Sequence, residues 1–327
     1  MNNLNTRLHT ARSIAGLSLQ ELSDAIGGVV SKQSLSMYEC GTMKPRRRNL
    51  LAIAKALGVS EDYFSMDTES IDLPQLRTSI PNALTQEELL QLESLILFLT
   101  DRFSQKLDSL HFKKDFQCSL RDSPLSAMDE ASKYADQLRR EWACGDGSIP
   151  SILRLFERRG IWIFDAILPD NVLGLSTWYK KDFPVIILDT RKEKTTVERL
   201  RFTAAHELAH LLFAIPERVN AEKMCNLFAS YFLVPRETLI QELGDKRDSL
   251  HLEELIDLHE YYGVSVAALV HEAYDFGIIS REHYDFWYDT RINLNKKEIG
   301  WGEYLFPETL GKEKRMDVIL TQGGIMK

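Results

Sequence analysis

His206-Glu-Leu-Ala-His210 is the stretch of this 327-residue sequence that most directly specifies chemistry. On a helix, residues 206 and 210 lie one turn apart on the same face, so their imidazoles can hold one Zn2+ between them. Glu207 then sits beside the pair, placed to act as a base toward water. With 8 His and 26 Glu in the chain, composition alone would give about 0.02 matches to H-E-x-x-H. The competing reading is a pair of hydrogen-bonded histidines on a half-buried helix, with no metal. A catalytic zinc needs three protein ligands and an open position. Glu217, Glu222, His251 and His259 all follow the motif. Glu222 falls near the start of the next helical segment, Ala221–Leu233, which would aim it back across a short connection. Glu217 lies beside Pro216 in the loop. Spacing favours Glu222 and leaves Glu217 open.

A second constellation lies near the N-terminus. Lys32, Gln33, Ser36 and Met37 fall at the exposed start of a helix that follows a tight turn. A helix in that arrangement fits the major groove of DNA, where Gln can pair with adenine and Lys with guanine. Arg46-Arg-Arg48 opens another helix, where positive charge and free backbone N–H groups suit phosphate; Arg46 and Arg47 are the expected contacts. Taken one at a time, these residues are also ordinary solvated surface.

These groups need elements to hold them. Leu4, Leu8 and Ala11 mark one apolar stripe. Ser18 with Glu21 predicts a capping box ahead of Leu19, Leu22, Ala25 and Ile26. Ser31 caps Lys32–Glu39, and Arg47–Leu57 ends at Gly58. The first 66 residues thus predict five short helices in an all-α unit. Pro74 and Pro81 bracket a linker, and Thr85 opens a long amphipathic helix to about Leu110, a spacer or dimerisation element. Beyond residue 126, helices at Met128–Ala143 and Ile149–Arg159 precede three strand-like runs, Gly160–Phe164, Val172–Trp178 and Val185–Leu188. Helices then dominate: Val197–Phe213, Ala221–Leu233, Leu252–Tyr262 and Val266–Phe276. An α+β domain with a small sheet follows. Aromatic residues crowd the tail from Ser280 onward, which predicts that it packs on the rest.

Composition is that of an ordinary globular protein, 44% hydrophobic and 27% charged, which excludes disordered and collagen-like classes. The net charge of -8 alone argues weakly against a nucleic-acid partner. It is unevenly spread. Residues 1–66 carry eight Lys/Arg against five Asp/Glu, a net +3, which leaves -11 for the remainder. A basic head on an acidic body implies separate tasks. The four cysteines form no CxxC pair, the first ten residues are polar, and no run of about 18 apolar residues predicts a membrane span. A cytoplasmic protein with reduced thiols is expected.

Two family resemblances add to this. Leu17-Ser-Leu-Gln-Glu-Leu22, Val30-Ser-Lys-Gln-Ser-Leu-Ser-Met-Tyr-Glu-Cys-Gly41, Pro45 and Leu50–Val59 resemble the XRE family of helix-turn-helix domains over about residues 4–64. The resemblance implies a five-helix, usually dimeric reader of double-stranded DNA, with Lys32, Gln33, Ser36 and Met37 on the base side. The turn Gly27-Gly-Val-Val30 is about two residues longer than the common form. Arg199–Phe213, together with Glu222-Lys-Met-Cys-Asn-Leu-Phe-Ala-Ser-Tyr-Phe-Leu-Val-Pro235, resembles the ImmA/IrrE family of metallopeptidases. Leu138–Trp142, Gly160–Ile163, Tyr262–Ser265 and Gly277–Ser280 fit the same family. Ala209 stands where Gly is common and Cys225 where Ala is common, and neither change removes a ligand. The resemblance implies a zinc site of His206, His210 and Glu222 with Glu207 as catalytic base.

The expected organisation is a helix-turn-helix domain at 1–66, a helical linker or dimerisation segment at 67–125, a zincin-like peptidase at 126–290 and an aromatic tail at 291–327. The expected function is a homodimeric DNA-binding regulator whose zinc endopeptidase cleaves a regulatory protein, a helix-turn-helix repressor or antitoxin-like partner, or the chain itself. The alternative is a non-catalytic repressor or antitoxin whose zinc domain serves as sensor or protein-binding scaffold. An intact Glu207 argues against the alternative, because a structural zinc site has no use for a base. No membrane partner is expected. Tyr231, Arg199 and Arg201 are weighed as oxyanion donors, without a choice among them.

Overall fold

Caps and apolar spacing decide where the first helices begin and end. A computed structural model describes residues 4–65, 85–112 and 116–323, so the expected linker around Pro74 and Pro81 lies outside the described residues. Helices α1 (Leu4–Ile14), α2 (Leu19–Ala25), α3 (Lys32–Glu39) and α4 (Arg47–Leu57) follow in order. Ser18 and Glu21 form the predicted reciprocal capping box. The Ser31 hydroxyl accepts the Ser34 N–H at the start of α3. Gly58 closes α4 in the left-handed conformation, φ +68°. The fifth helix is a correction: it is a three-residue 3-10 turn, Asp62–Phe64. Leu8, Leu22, Leu35, Ile53 and Tyr63 fill the core. Arg12 clamps Glu39 through two hydrogen bonds of 2.7 and 2.8 Å.

Helix α5 (Gln86–Ser109) is capped by Thr85 and Glu88 and packs along α1 and the 3-10 turn. Phe98 meets the Tyr63 ring edge-on. Asp101 accepts from both the N–H and the hydroxyl of Ser60, each at 2.7 Å. Leu92 and Ile96 of its predicted apolar stripe are buried in these contacts.

The rest alternates short strands with helices: β1 (Ser123–Pro124), α6 (Met128–Glu141), α7 (Ile152–Arg158), β2 (Trp162–Asp165), β3 (Gly174–Tyr179) and β4 (Phe183–Leu188). Then come α8 (Val197–Leu212), β5 (Phe213–Ala214), α9 (Ala221–Leu233), α10 (Arg236–Leu243), α11 (Leu252–Tyr262), α12 (Val266–Asp275), α13 (Arg281–Trp287) and α14 (Lys312–Gly323). The three-stranded sheet has the order β2-β4-β3, with β4 central. The unbroken apolar run of β4 matches that position, since a strand covered on both faces has no polar side to alternate. The architecture is α+β, mainly helical, with small sheets, as expected.

The chain divides into two units: residues 1–115 with 177–185 and 312–327, and residues 116–176 with 186–311. In the first, Lys106 pairs with Glu313 and Asp317 of α14. In the second, the aromatic stretch from Ser280 packs only in part: Trp287, Trp301 and Tyr304 are buried and the Tyr304 hydroxyl reaches the carbonyls of Ile149 and Pro150, whereas Phe286 and Phe306 stay exposed. Arg201 of α8 and Glu308 of the tail form an ion pair of 2.5 Å with both side chains out of solvent. Arg201 also donates to the carbonyls of Gly263, Ile149 and Tyr262, and its guanidinium lies over the Tyr304 ring. Every face of this buried cation is thereby matched, the condition under which a buried ion pair is tolerated.

Candidate metal centre and nucleic-acid face

The H-E-x-x-H residues lie in the second half of α8, whose start is set by Thr196 accepting the Arg199 N–H. The chain leaves that helix directly into β5, which pairs parallel with β1, Phe213 opposite Ser123 and Ala214 opposite Pro124. A turn closed by Val219 N–H to Pro216 carbonyl follows, and Asn220 caps α9 by accepting from Lys223. This brings Glu222, in the first turn of α9, back over α8. Helices α8 and α9 pack together along their length.

Nε2 of His206 and Nε2 of His210 stand 3.0 Å apart. Glu222 places Oε2 3.3 Å from the first and Oε1 3.3 Å from the second. One donor atom from each residue falls in a cluster that could hold a metal ion. Zn–N and Zn–O bonds of about 2.1 Å put tetrahedral neighbours about 3.4 Å apart, so these separations suit zinc. Oε1 of Glu222 is buried with no well-aligned hydrogen-bond donor, as an atom reserved for a cation would be. Asn226, one turn after Glu222, places Oδ1 2.8 Å from His206 Nδ1. An imidazole that donates from Nδ1 keeps its Nε2 lone pair free for metal, the usual role of such an outer partner. The donor set therefore fits zinc. Glu217 lies exposed in the turn, outside the cluster. His259 is buried and placed against the carbonyl of Val264, and His251 is exposed at the start of α11.

The electrostatics of the protein alone agree with a cation site. Burial pulls the Glu222 carboxyl upward, but the adjoining imidazoles of His206 and His210 outweigh it and hold the pKa well below the carboxylate range. Burial pulls His206 down, while Glu222, Glu207 and Asn226 lift it above its ordinary value overall. Both directions favour a positive charge beside the Glu222 carboxylate. Cys225, on α9 beside these groups, is fully buried and its thiol is raised well above its ordinary value by that burial. It is a core residue and an inert thiol.

Glu207 is held by a residue that the sequence did not single out. Ser176 of β3 donates its hydroxyl to Glu207 Oε2 at 2.7 Å. The available signal was a Gly-Leu-Ser-Thr start to an otherwise buried strand, where polar side chains need a reason. The oxyanion candidates fare differently. Arg201 is consumed by Glu308, and Tyr231 packs on Phe276 and lines a cavity of about 430 Å3 that contains none of the metal-site residues. Arg199 is exposed in the first turn of α8.

On the first unit, Lys32, Gln33 and Met37 are exposed and Ser36 is half-buried, while Leu35 and Tyr38 face the core. The four positions share the outward side of α3. Arg46 is the N-cap residue of α4 and offers no side-chain cap, so the first N–H groups of that helix stay available beside Arg46 and Arg48. Arg47 is exposed and pairs with Glu61 at 2.6 Å. An exposed pair of this kind is weak and exchanges readily for a phosphate. The unit's six-residue connection from Ile26 to Ser31 carries Gly27 and Gly28 at φ +66° and +70°, conformations that suit glycine.

Comparison with family models finds the helix-turn-helix family over residues 9–64 and the IrrE N-terminal-like domain of peptidase family M78 over residues 156–274. His206, Glu207, His210 and Glu222 all lie inside the second match. Comparison with curated proteins returns no match. Among the described residues, no helix is long and apolar enough to cross a membrane.

Proposed function

Because the chain joins an XRE-type helix-turn-helix domain to an ImmA/IrrE-like metallopeptidase domain, we propose that it is a DNA-bound regulator carrying a zinc endopeptidase directed at a regulatory protein. The observation that carries this is the convergence of His206, His210 and Glu222 at 3.0–3.3 Å beside an intact Glu207. The substrate class we assign is a helix-turn-helix repressor or antitoxin-like protein, the chain's own head included. The head acts as a homodimer on double-stranded DNA, with Lys32, Gln33, Ser36 and Met37 toward the bases and Arg46 and Arg47 toward phosphate.

His206, His210 and Glu222 would hold the ion, and Asn226 would fix the His206 tautomer. Zinc, when bound, polarises the scissile carbonyl and lets water attack near neutral pH. Glu207 takes a proton from the attacking water and passes it to the leaving amine nitrogen.

The test has two parts. Purified chain should contain about one zinc per molecule, with His206→Ala losing it. Proteins cut in cells are then compared between wild type and Glu207→Gln. The variant should keep its zinc and spare one or more regulators that wild type cuts. A wild type that carries no metal, or a Glu207→Gln chain that cuts as wild type does, overturns the proposal.

A further inference from the structure

We propose that Ser176 is a positioning residue for Glu207, the group that sets which way the base faces; this rests on the reading of Glu207 as the base. Ser176 is 3% exposed and Glu207 6%, so water does not compete for the 2.7 Å bond between them. Ser176 is the one hydrogen-bond partner of Glu207 among the described residues. A glutamate side chain has several rotatable bonds and finds no single orientation by itself. Anchoring Oε2 on the strand side leaves Oε1 as the oxygen free to meet water.

The same strand shows why the hydroxyl reaches. Residues 174 and 176 stand on one face of β3, two apart. A Cβ at Gly174 would lie 2.6 Å from Thr203 Cγ2, 3.0 Å from Leu188 Cδ2 and 3.3 Å from Glu207 Cγ. Only glycine lets the strand come this near to α8. Two neighbouring positions of β3 thus meet the same glutamate: one lies against its methylene by having no side chain, the other holds its carboxylate by a hydroxyl. The small residue and the short donor act together, because a strand standing farther off would put Ser176 out of range.

A residue of this kind acts on the transition state and leaves substrate binding alone, so kcat falls while KM stays. The experiment uses the full zinc-loaded chain, wild type and Ser176→Ala, with the best-cleaved member of a quenched-fluorescence peptide library as probe. Zinc content should be unchanged and kcat reduced about tenfold, in the range found when outer partners of a catalytic site are removed. A crystal structure of Ser176→Ala should show the Glu207 carboxylate displaced or split between conformers. An unchanged kcat, or a carboxylate in the wild-type place as a single conformer, overturns the role. If wild type cleaves no library member, the peptidase reading is what fails. The crystallographic result still decides Ser176: a displaced carboxylate upholds it as the group that holds Glu207, and an undisplaced one does not.

Discussion

Two imidazole nitrogens 3.0 Å apart, with the carboxylate of Glu222 3.3 Å from each, form a pocket whose donor atoms suit a cation. The H-E-x-x-H pair was legible because its geometry is local: a helix alone sets the spacing of residues 206 and 210. Glu222 was only favoured over Glu217, because the direction of the returning helix depends on the Asn220 cap and the turn before it. Ser176 was not singled out, since 31 residues separate it from Glu207 and its polar place in a buried strand marks a need for a partner without naming which one. A different buried carboxyl gives a test at this scale. Glu272 of α12 is 3% exposed, and its Oε2 has no hydrogen-bond partner. Burial, with Asp275 adding to it against the Ser230 hydrogen bond, pushes its pKa up to about 8. The neutral form is the one the fold accepts, so this group's stability contribution is full below the ordinary carboxylate pKa and lost as pH rises through about 8. Glu272→Gln should therefore raise the melting temperature more at pH 8.5 than at pH 5, as followed by circular dichroism. An equal effect at both pH values would mean that the carboxyl stays charged in the fold.

At the scale of elements, ends were more legible than contacts. Ser18, Ser31, Thr85 and Gly58 all announced their helix ends, and they do so through hydrogen bonds that close within a few residues. Helix α10 was missed because it is eight residues long and follows Pro235 without a capping side chain. The β1–β5 pair is two residues long on each side, too short for any alternation to register. Glycine positions separate conformation from crowding. Gly58 and Gly263 both end helices at left-handed φ, +68° and +63°. A Cβ at 58 meets nothing nearer than 4.0 Å, whereas one at 263 lies 2.7 Å from Arg201 Nε and 2.9 Å from Tyr304. Gly58→Ala should cost about 1 kcal/mol, from backbone conformation alone. Gly263→Ala should cost roughly 2–4 kcal/mol, because a crowded buried guanidinium is added to the same backbone term. Urea unfolding of the two variants checks the order, and equal losses would show that the Arg201 cluster yields easily.

For the whole molecule, the charge asymmetry proved a better guide than the total. A net of -8 hid a basic segment that matches the helix-turn-helix family and an acidic remainder that contains the IrrE-like match. Where the first unit ends was less legible. The stripe on α5 reads equally well as a spacer, a dimer seam or a core helix, since all three want the same periodicity. What distinguishes them is Asp101, a buried carboxylate that satisfies the backbone and hydroxyl of Ser60 at the end of the head. Asp101→Ala should lower the stability of the DNA-reading unit by roughly 1–3 kcal/mol, the usual loss when a buried charged partner is removed. A head that melts unchanged in this variant would mean that α5 contributes nothing to it.

The ion pair between Arg201 and Glu308 bears on how the molecule is made. Translation runs from the N-terminus, and domains fold as their residues emerge. Helices α1 to α5 are complete by residue 109. The helix that carries His206, Glu207 and His210 also carries a guanidinium whose carboxylate partner is missing until residue 308 has been synthesised, and a buried charge without its counter-charge is strongly destabilising. The segment that matches the helix-turn-helix family is therefore synthesised long before the partner of Arg201, while the first unit takes its own last helix, α14, from residues beyond 308.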